Sequence, residues 1–340
     1  MTKYIPSLNG LRAFAITLVL ISHLTHTPNF PQFINNAFQS LGLGTLGVRL
    51  FFLLSGYLIT HVLLIEYKST GRISIKNFFA RRVLRIFPSF YFYLAFLAFL
   101  AYFEIIQISY EAILLAFLYI QNYNVWQNGE VFVSTWFVKH AWSLSVEEQF
   151  YLIYPFLFKN TLAKIKNSFL IIGVGVVVTG TFFRALNYSF PEISRWVGGP
   201  FFMHVDFLFV GCLMRYIIVN YKYAIKSIFS SYKDIILGLA FILVLISSIH
   251  EYKTGINIVI FGNLILLGNT VIFSYFLLYP ESSLGVLFET KPLSFIGKLS
   301  YSLYVWQQLF LGSTSLWLKY KYLTYFPINI IAIFICALFS

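Results

Sequence analysis

Long apolar runs alternate with short polar segments over the whole 340-residue sequence. A helix needs about 20 apolar residues to cross the hydrocarbon core of a bilayer. Ten runs meet or approach this length: 8–27, 45–65, 86–106, 143–160, 168–186, 201–220, 233–250, 256–279, 295–318 and 325–340. The pattern therefore predicts an all-α fold, a polytopic bundle of about ten transmembrane helices.

One further apolar stretch, 110–121, is short for a crossing. Lysine and arginine concentrate on the cytoplasmic side of membrane proteins. If the N-terminus is cytoplasmic and 110–121 does not cross, the basic segments 66–86, 159–166 and 222–233 all face the cytoplasm. We therefore expect ten spans, both termini in the cytoplasm and a re-entrant or interfacial helix near 110–121. An eleven-span arrangement stays open.

Composition supports a membrane protein. The chain is 59% hydrophobic and 11% charged, whereas a soluble domain has roughly 25% charged residues. The net charge of +12 comes from residues in short loops between the apolar runs, which is typical of topology determinants rather than of nucleic-acid binding. Cys212 and Cys336 lie within apolar runs, so we expect no disulfide framework. We expect a single integral membrane domain over 1–340, with no appended soluble domain.

The first apolar run contains two residues that a helix in lipid normally avoids, Arg12 and His23. Eleven positions separate them, so on a helix they project from one face, roughly 16 Å apart along the axis. Ionisable groups inside a bilayer usually face a protein interior or a wet cavity and are functional candidates. In the alternative, Arg12 extends to the lipid headgroups and His23 caps the outer end of the helix.

Two further groups of polar residues border predicted spans. Arg82 and Arg85 are three positions apart before the third span, and two guanidinium groups on one helix face could clamp a phosphate. The alternative is that they only set the topology and meet lipid phosphate. Glu147 and Glu148 stand at the predicted extracytoplasmic entrance of the span at 143–160. Two adjacent carboxylates there suggest a functional site, although both could be exposed to the headgroups.

Weaker signals lie in the second span. Arg49, near its outer end, could stabilise developing negative charge or extend outward. Ser55, with its neighbouring Gly56, could contribute to an acceptor site or simply allow close helix packing. The sequence has no zinc motif, no glycine-rich phosphate loop and no serine-nucleophile elbow, so we expect no metal site.

Five motifs, in order along the chain, resemble the membrane-bound acyltransferase family 3, which includes bacterial polysaccharide O-acetyltransferases. The motifs are Asn9-Gly10-Leu11-Arg12 followed by His23, the second span at 50–60, Arg82-Val-Leu-Arg85-Ile-Phe-Pro, the string at 142–151, and Ser-Tyr-Ser-Leu-Tyr-Val-Trp at 300–306. The chain departs from the family pattern at three places. The family often has Asp at position 9, Arg at position 204 and His after the late tryptophan, where this chain has Asn9, His204 and Gln307-Gln308.

The resemblance implies acyl-coenzyme A, most often acetyl-CoA, as co-substrate and a carbohydrate hydroxyl as acceptor, with no bound cofactor. Arg82, Arg85 and Arg12 would then hold the donor's phosphates, and His23 would act as general base. Glu148 or Glu147 would orient the imidazole, and Arg49 or a backbone amide would stabilise the oxyanion. Direct transfer and an acyl-enzyme both stay open.

The implied partners are acyl-CoA, a surface carbohydrate or lipid-linked glycan, and the lipid bilayer, with no nucleic acid. The implied location is the inner, cytoplasmic membrane of a cell. Two alternatives stay open. A transporter or flippase could use the same buried charges without chemistry, and an acyltransferase could act on a small lipid or a macrolide.

Overall fold

A computed structural model describes residues 7–38, 40–124, 136–162, 168–251, 255–312 and 317–340. These residues are mostly α-helical, and they contain no strand beyond one isolated antiparallel bridge between Ile106 and Trp317. The helices are α1 (Ser7–Leu24), α2 (Gln32–Phe38), α3 (Leu43–Thr70), α4 (Ile75–Tyr102), α5 (Tyr110–Phe117), α6 (Gln121–Asn124), α7 (Ala141–Leu157), α8 (Ser168–Ser189), α9 (Pro191–Trp196), α10 (Gly199–Phe229), α11 (Lys233–His250), α12 (Gly255–Leu278), α13 (Ser283–Phe288), α14 (Lys291–Phe310) and α15 (Ile328–Phe339).

Every apolar run predicted to span the membrane overlaps one of the described helices. Two of the larger differences are at helix ends with a local cause. The third predicted span, 86–106, lies in a helix that already begins at Ile75, where the Ser74 hydroxyl accepts a hydrogen bond from the Asn77 amide and caps the first turn. The ninth, 295–318, ends as a helix at Phe310, shortly before Gly312, whose φ of +147° is open to glycine but not to most residues.

Seven of the described helices are long and apolar enough to cross a membrane, namely α1, α3, α4, α8, α10, α11 and α12. The other predicted spans correspond to α7, α14 and the 12-residue α15. The chain therefore has the helices of a membrane protein, and the predicted total of ten spans stays a prediction. The stretch 110–121 forms the eight-residue α5.

The exposed face of α11 is apolar, as expected for a helix surrounded by lipid. Ile235, Leu239, Ile242 and Ile246 follow one another at helical spacing and are each at least half exposed. The opposite face is also largely apolar and packs inward. A helix that is apolar on both faces is stable only when its outer face meets hydrocarbon.

The described helices group into two compact units that the chain visits alternately. The first unit contains residues 1–15, 45–73 and 150–298. Within it, α8 packs against α10 and α12, and α11 packs against α12. This unit also contains two buried ion pairs, which join Arg49 to Glu251 and Arg184 to Asp206.

Glycine permits a close crossing of α3 and α10 in this first unit. A Cβ atom on Gly56 would lie 1.8 Å from the carbonyl oxygen of Leu208, and one on Gly211 would lie 2.1 Å from that of Leu53. Each helix thus presents a glycine to the backbone of the other. The structure confirms the packing alternative for Gly56, a recurrent use of small residues between membrane helices.

The second unit contains residues 16–44, 74–149 and 299–340. Tyr301 of α14 donates a hydrogen bond to the Ile86 carbonyl of α4, 2.8 Å away. One turn further along α14, the Trp306 ring packs on Phe92, Tyr93 and Phe96 of α4. These contacts hold α14 along α4 and fix the position of the polar residues that follow Trp306.

Candidate active site

His23 and Gln307 meet inside the second unit. His23 lies in the last turn of α1, and its Nδ1 atom is 2.8 Å from Oε1 of Gln307 on α14. An amide oxygen can only accept a hydrogen bond, so the Nδ1 atom carries the hydrogen. The neutral imidazole then has its lone pair on Nε2, which is the atom that a general base uses.

An indole packs against the edge of the same imidazole. The Trp136 and His23 rings are T-shaped, with centroids 6.3 Å apart. The Trp136 indole nitrogen donates to the backbone carbonyl of Gln308, 3.2 Å away. A Cβ atom on Gly312 would lie 2.4 Å from the Trp136 ring. Consecutive residues of α14 therefore hold both His23 and the aromatic ring beside it.

The start of α7 is attached to α14 one turn before Gln307. The Tyr304 hydroxyl donates to the His140 carbonyl at 3.0 Å and lies 2.6 Å from the Ser143 hydroxyl. The buried His140 ring packs between the rings of Tyr93 and Tyr304. Burial lowers the pKa of His140 to about 3, so its imidazole is neutral at physiological pH. Two sequence motifs, 142–151 and 300–306, thus pack against each other.

Glu147 and Glu148 lie further along α7. Glu148 is eight residues beyond His140, roughly 12 Å along a helix axis. It is half-buried, and the charges that act on it are those of Glu147 and Arg82. From the sequence we expected this carboxylate beside the imidazole, at the same level of the membrane. The structure has an amide, Gln307, as the hydrogen-bond partner of Nδ1, and the cation whose charge acts on Glu148 is Arg82.

Arg82 and Arg85 both lie on α4, which confirms that they share one helix. Arg82 is half-buried, and its guanidinium carbon is 5.8 Å from the centre of the Phe78 ring. Arg85 is exposed. The two side chains therefore differ in surroundings, and the roles assigned to them from the sequence stay predictions.

The remaining predicted site residues belong to the first unit. Arg12 is half-buried on α1. The Ser55 hydroxyl is hydrogen-bonded to the Tyr151 hydroxyl. Arg49 is buried, and its two terminal nitrogens bind both carboxylate oxygens of Glu251. The positive charge that could stabilise an oxyanion is therefore paired with a carboxylate in this structure, and the oxyanion role of Arg49 stays a prediction from the sequence.

From the sequence we did not predict two residues that contact the His23 ring, Gln307 and Trp136. Gln307 follows Trp306 in an apolar helix, and we noted it only as a departure from the family pattern. An amide residue in an apolar helix could have indicated an internal partner, because polar side chains in membrane helices usually have one. Trp136 gave no distinct signal, since tryptophans near span ends also form interfacial belts.

Among the described residues, no group of three or more His, Cys, Asp or Glu side chains could hold a metal ion. At His23, the structure shows an imidazole bonded to an amide.

Comparison with known proteins places the amino-acid sequence of this chain in a family. The acyltransferase domain family matches residues 5–340. The chain belongs to this family. This confirms the resemblance seen in the five sequence motifs.

Two curated relatives carry the name O-acetyltransferase OatA, one from Staphylococcus aureus strain NCTC 8325 / PS 47 and one from strain COL. Each is 32% identical over 322 residues, covering 89% of this chain and 50% of the relative. The chain thus spans about half the length of the curated relatives it matches. No solved structure matches it.

Proposed function

We propose that this chain is an integral membrane O-acyltransferase. It would move an acyl group, expected to be acetyl, from cytosolic acyl-CoA to a hydroxyl of a cell-surface carbohydrate or lipid-linked glycan. Family membership, the O-acetyltransferase name of the relatives and the seven membrane-length helices support this proposal. The observation that carries it is the hydrogen bond from His23 Nδ1 to Gln307, which leaves the Nε2 lone pair available as a base.

In the proposed step, Nε2 of His23 accepts the proton of the acceptor hydroxyl as its oxygen attacks the thioester carbonyl carbon. The new C–O bond forms and the carbonyl oxygen gains negative charge. The C–S bond then breaks, and the leaving coenzyme A thiolate takes the proton back from the imidazolium. The products are the O-acyl ester and free coenzyme A, and the neutral imidazole is restored.

The donor would bind through its phosphates as a co-substrate, with no bound cofactor. Arg82 and Arg85 on α4 are the proposed phosphate ligands, since guanidinium groups bind phosphate oxygens bidentately. The donor role of Arg12 and the roles of Glu147, Glu148 and Ser55 stay predictions from the sequence. The proposed location is the inner membrane with both termini in the cytoplasm, which gives the basic ends of the spans access to cytosolic acyl-CoA.

The test is mass spectrometry of surface glycans from cells that express the wild-type chain, His23→Ala, or no copy. We expect wild-type cells alone to carry glycans heavier by one acetyl group. His250→Ala is the matched control, because His250 hydrogen-bonds the Ile246 carbonyl of its own helix, 2.8 Å away, and packs on Phe261, far from the proposed site in sequence. Unchanged acetylation in His23→Ala, at equal protein level, would remove His23 from the mechanism.

A further inference from the structure

Only one of the two polar atoms of the Gln307 side chain is hydrogen-bonded. It is fully buried, its Oε1 atom bonds His23, and its Nε2 atom has no hydrogen-bond partner. A buried donor without a partner costs about 1–3 kcal/mol. Leucine would fill a similar volume without that cost. A glutamine that is unfavourable for stability and bonded to a proposed base therefore suggests a functional reason for its presence.

The geometry points to Gln307 as the positioning residue of the acyl-transfer site, which holds His23 in the tautomer that has hydrogen on Nδ1. This inference rests on the proposed function of His23. A ring with hydrogen on Nε2 could not accept a proton from the acceptor hydroxyl at that atom. Gln307 would act only through His23.

An amide and a carboxylate differ as orienting groups. Both accept the Nδ1 hydrogen, but a carboxylate also stabilises the imidazolium through its charge. The titratable groups whose charges interact with His23 are His26, Lys139 and His140, and all three are bases. A carboxylate at position 307 would therefore add a charge of opposite sign beside the ring. The effect of a carboxylate at position 307 on the pH dependence of transfer therefore distinguishes an orienting role of Gln307 from a merely structural role.

The experiment compares Gln307→Leu, Gln307→Glu and Gln121→Leu in inside-out membrane vesicles that contain the full chain. The probe is acetyl-CoA, and free coenzyme A is measured as thiol over a range of pH and donor concentration. Gln121 is the matched control, because it is a second fully buried glutamine in the same unit, and neither of its side-chain polar atoms has a partner. The two leucine variants therefore make the same chemical change at equal burial.

For Gln307→Leu we expect kcat to fall about 10²-fold, the lower end of what a positioned base contributes, with the KM for acetyl-CoA within twofold of wild type. For Gln307→Glu we expect most of the activity to remain. The acidic limb of its pH–rate profile should move upward by about one pH unit. Gln121→Leu should match the wild type in both respects.

Two results would overturn the inference. One is a kcat for Gln307→Leu equal to that of Gln121→Leu. The other is an unshifted profile for Gln307→Glu, a variant that stays informative if Gln307→Leu fails to fold. Both leave the proposed function intact, because that proposal has its own test and fails if cells that express the wild-type chain carry no more acetyl groups than cells with no copy.

Discussion

Arg49 and Glu251 form a bidentate ion pair, with nitrogen–oxygen distances of 2.8 and 2.5 Å, and both side chains are buried. The Arg49 guanidinium also lies over the Phe207 ring, 5.2 Å from its centroid. The pair joins α3 to the residue that follows α11. Its closeness and burial indicate that Arg49 stabilises the fold, and its role in catalysis stays a prediction from the sequence.

We expect Arg49→Met to destabilise the protein by about 3–5 kcal/mol, because it leaves the Glu251 carboxylate buried without its counter-ion. The double variant Arg49→Met/Glu251→Met should recover most of that loss, since two apolar side chains can replace a buried pair at little cost. The measurement is the thermal unfolding midpoint of detergent-purified protein. Acetyl transfer by the folded double variant is the second measurement. If this variant transfers no acetyl groups, the result would support a catalytic role for Arg49.

The sequence predicted the helices well because the requirement for about 20 apolar residues is local. It predicted Arg12 and His23 on one helix for the same reason, and α1 runs without a break from Ser7 to Leu24. The partner of Arg49 could not be predicted in this way. Glu251 is 202 positions away in the chain. No local sequence pattern indicates which polar residue outside the spans becomes buried and pairs with Arg49.

The same limit applies to the site. His23 stood out because an ionisable residue in lipid is costly, but the group beside it depended on how α14 packs. Trp306 fixes that packing through its contacts with α4, and so brings Gln307 to the imidazole. From charge alone, Glu148 was a better candidate than Gln307 for the partner of the His23 imidazole. Only the folded chain shows that Arg82 is the cation that acts on it.

Glu148→Gln tests which role that carboxylate has. Glu148 and Arg82 interact electrostatically, so at a pH where this carboxyl is ionised its replacement by an amide should strengthen the attraction of Arg82 for an anionic donor. We expect the KM for acetyl-CoA to fall about two- to fivefold, with an unchanged pH–rate profile. Arg82→Gln should shift KM in the opposite direction. A large loss of kcat in Glu148→Gln at constant KM would instead support the base-orienting role predicted from the sequence.

Gly56→Ala tests the close crossing of α3 and α10. The new methyl group would overlap the Leu208 carbonyl oxygen, only 1.8 Å from the Cβ position, so the helices must separate. We expect a loss of at least about 1–3 kcal/mol, measured as a lower thermal midpoint. Gly175→Ala is the matched control. No atom lies within 4 Å of its Cβ position, so the change should be neutral or slightly stabilising. Equal midpoints for the two variants would contradict the close crossing.

Single-cysteine labelling tests the predicted sidedness. Asn36 and Ser69 are both exposed, and the ten-span arrangement places them on opposite sides of the membrane, Ser69 in the cytoplasm. The two native cysteines give a low background, because Cys212 is buried and Cys336 only half-exposed. We expect a membrane-impermeant maleimide to label Asn36→Cys on intact cells, and Ser69→Cys only after the membrane is opened. Labelling of Ser69→Cys on intact cells would invert the arrangement, and the basic segment at 66–86 could then no longer meet cytosolic acyl-CoA.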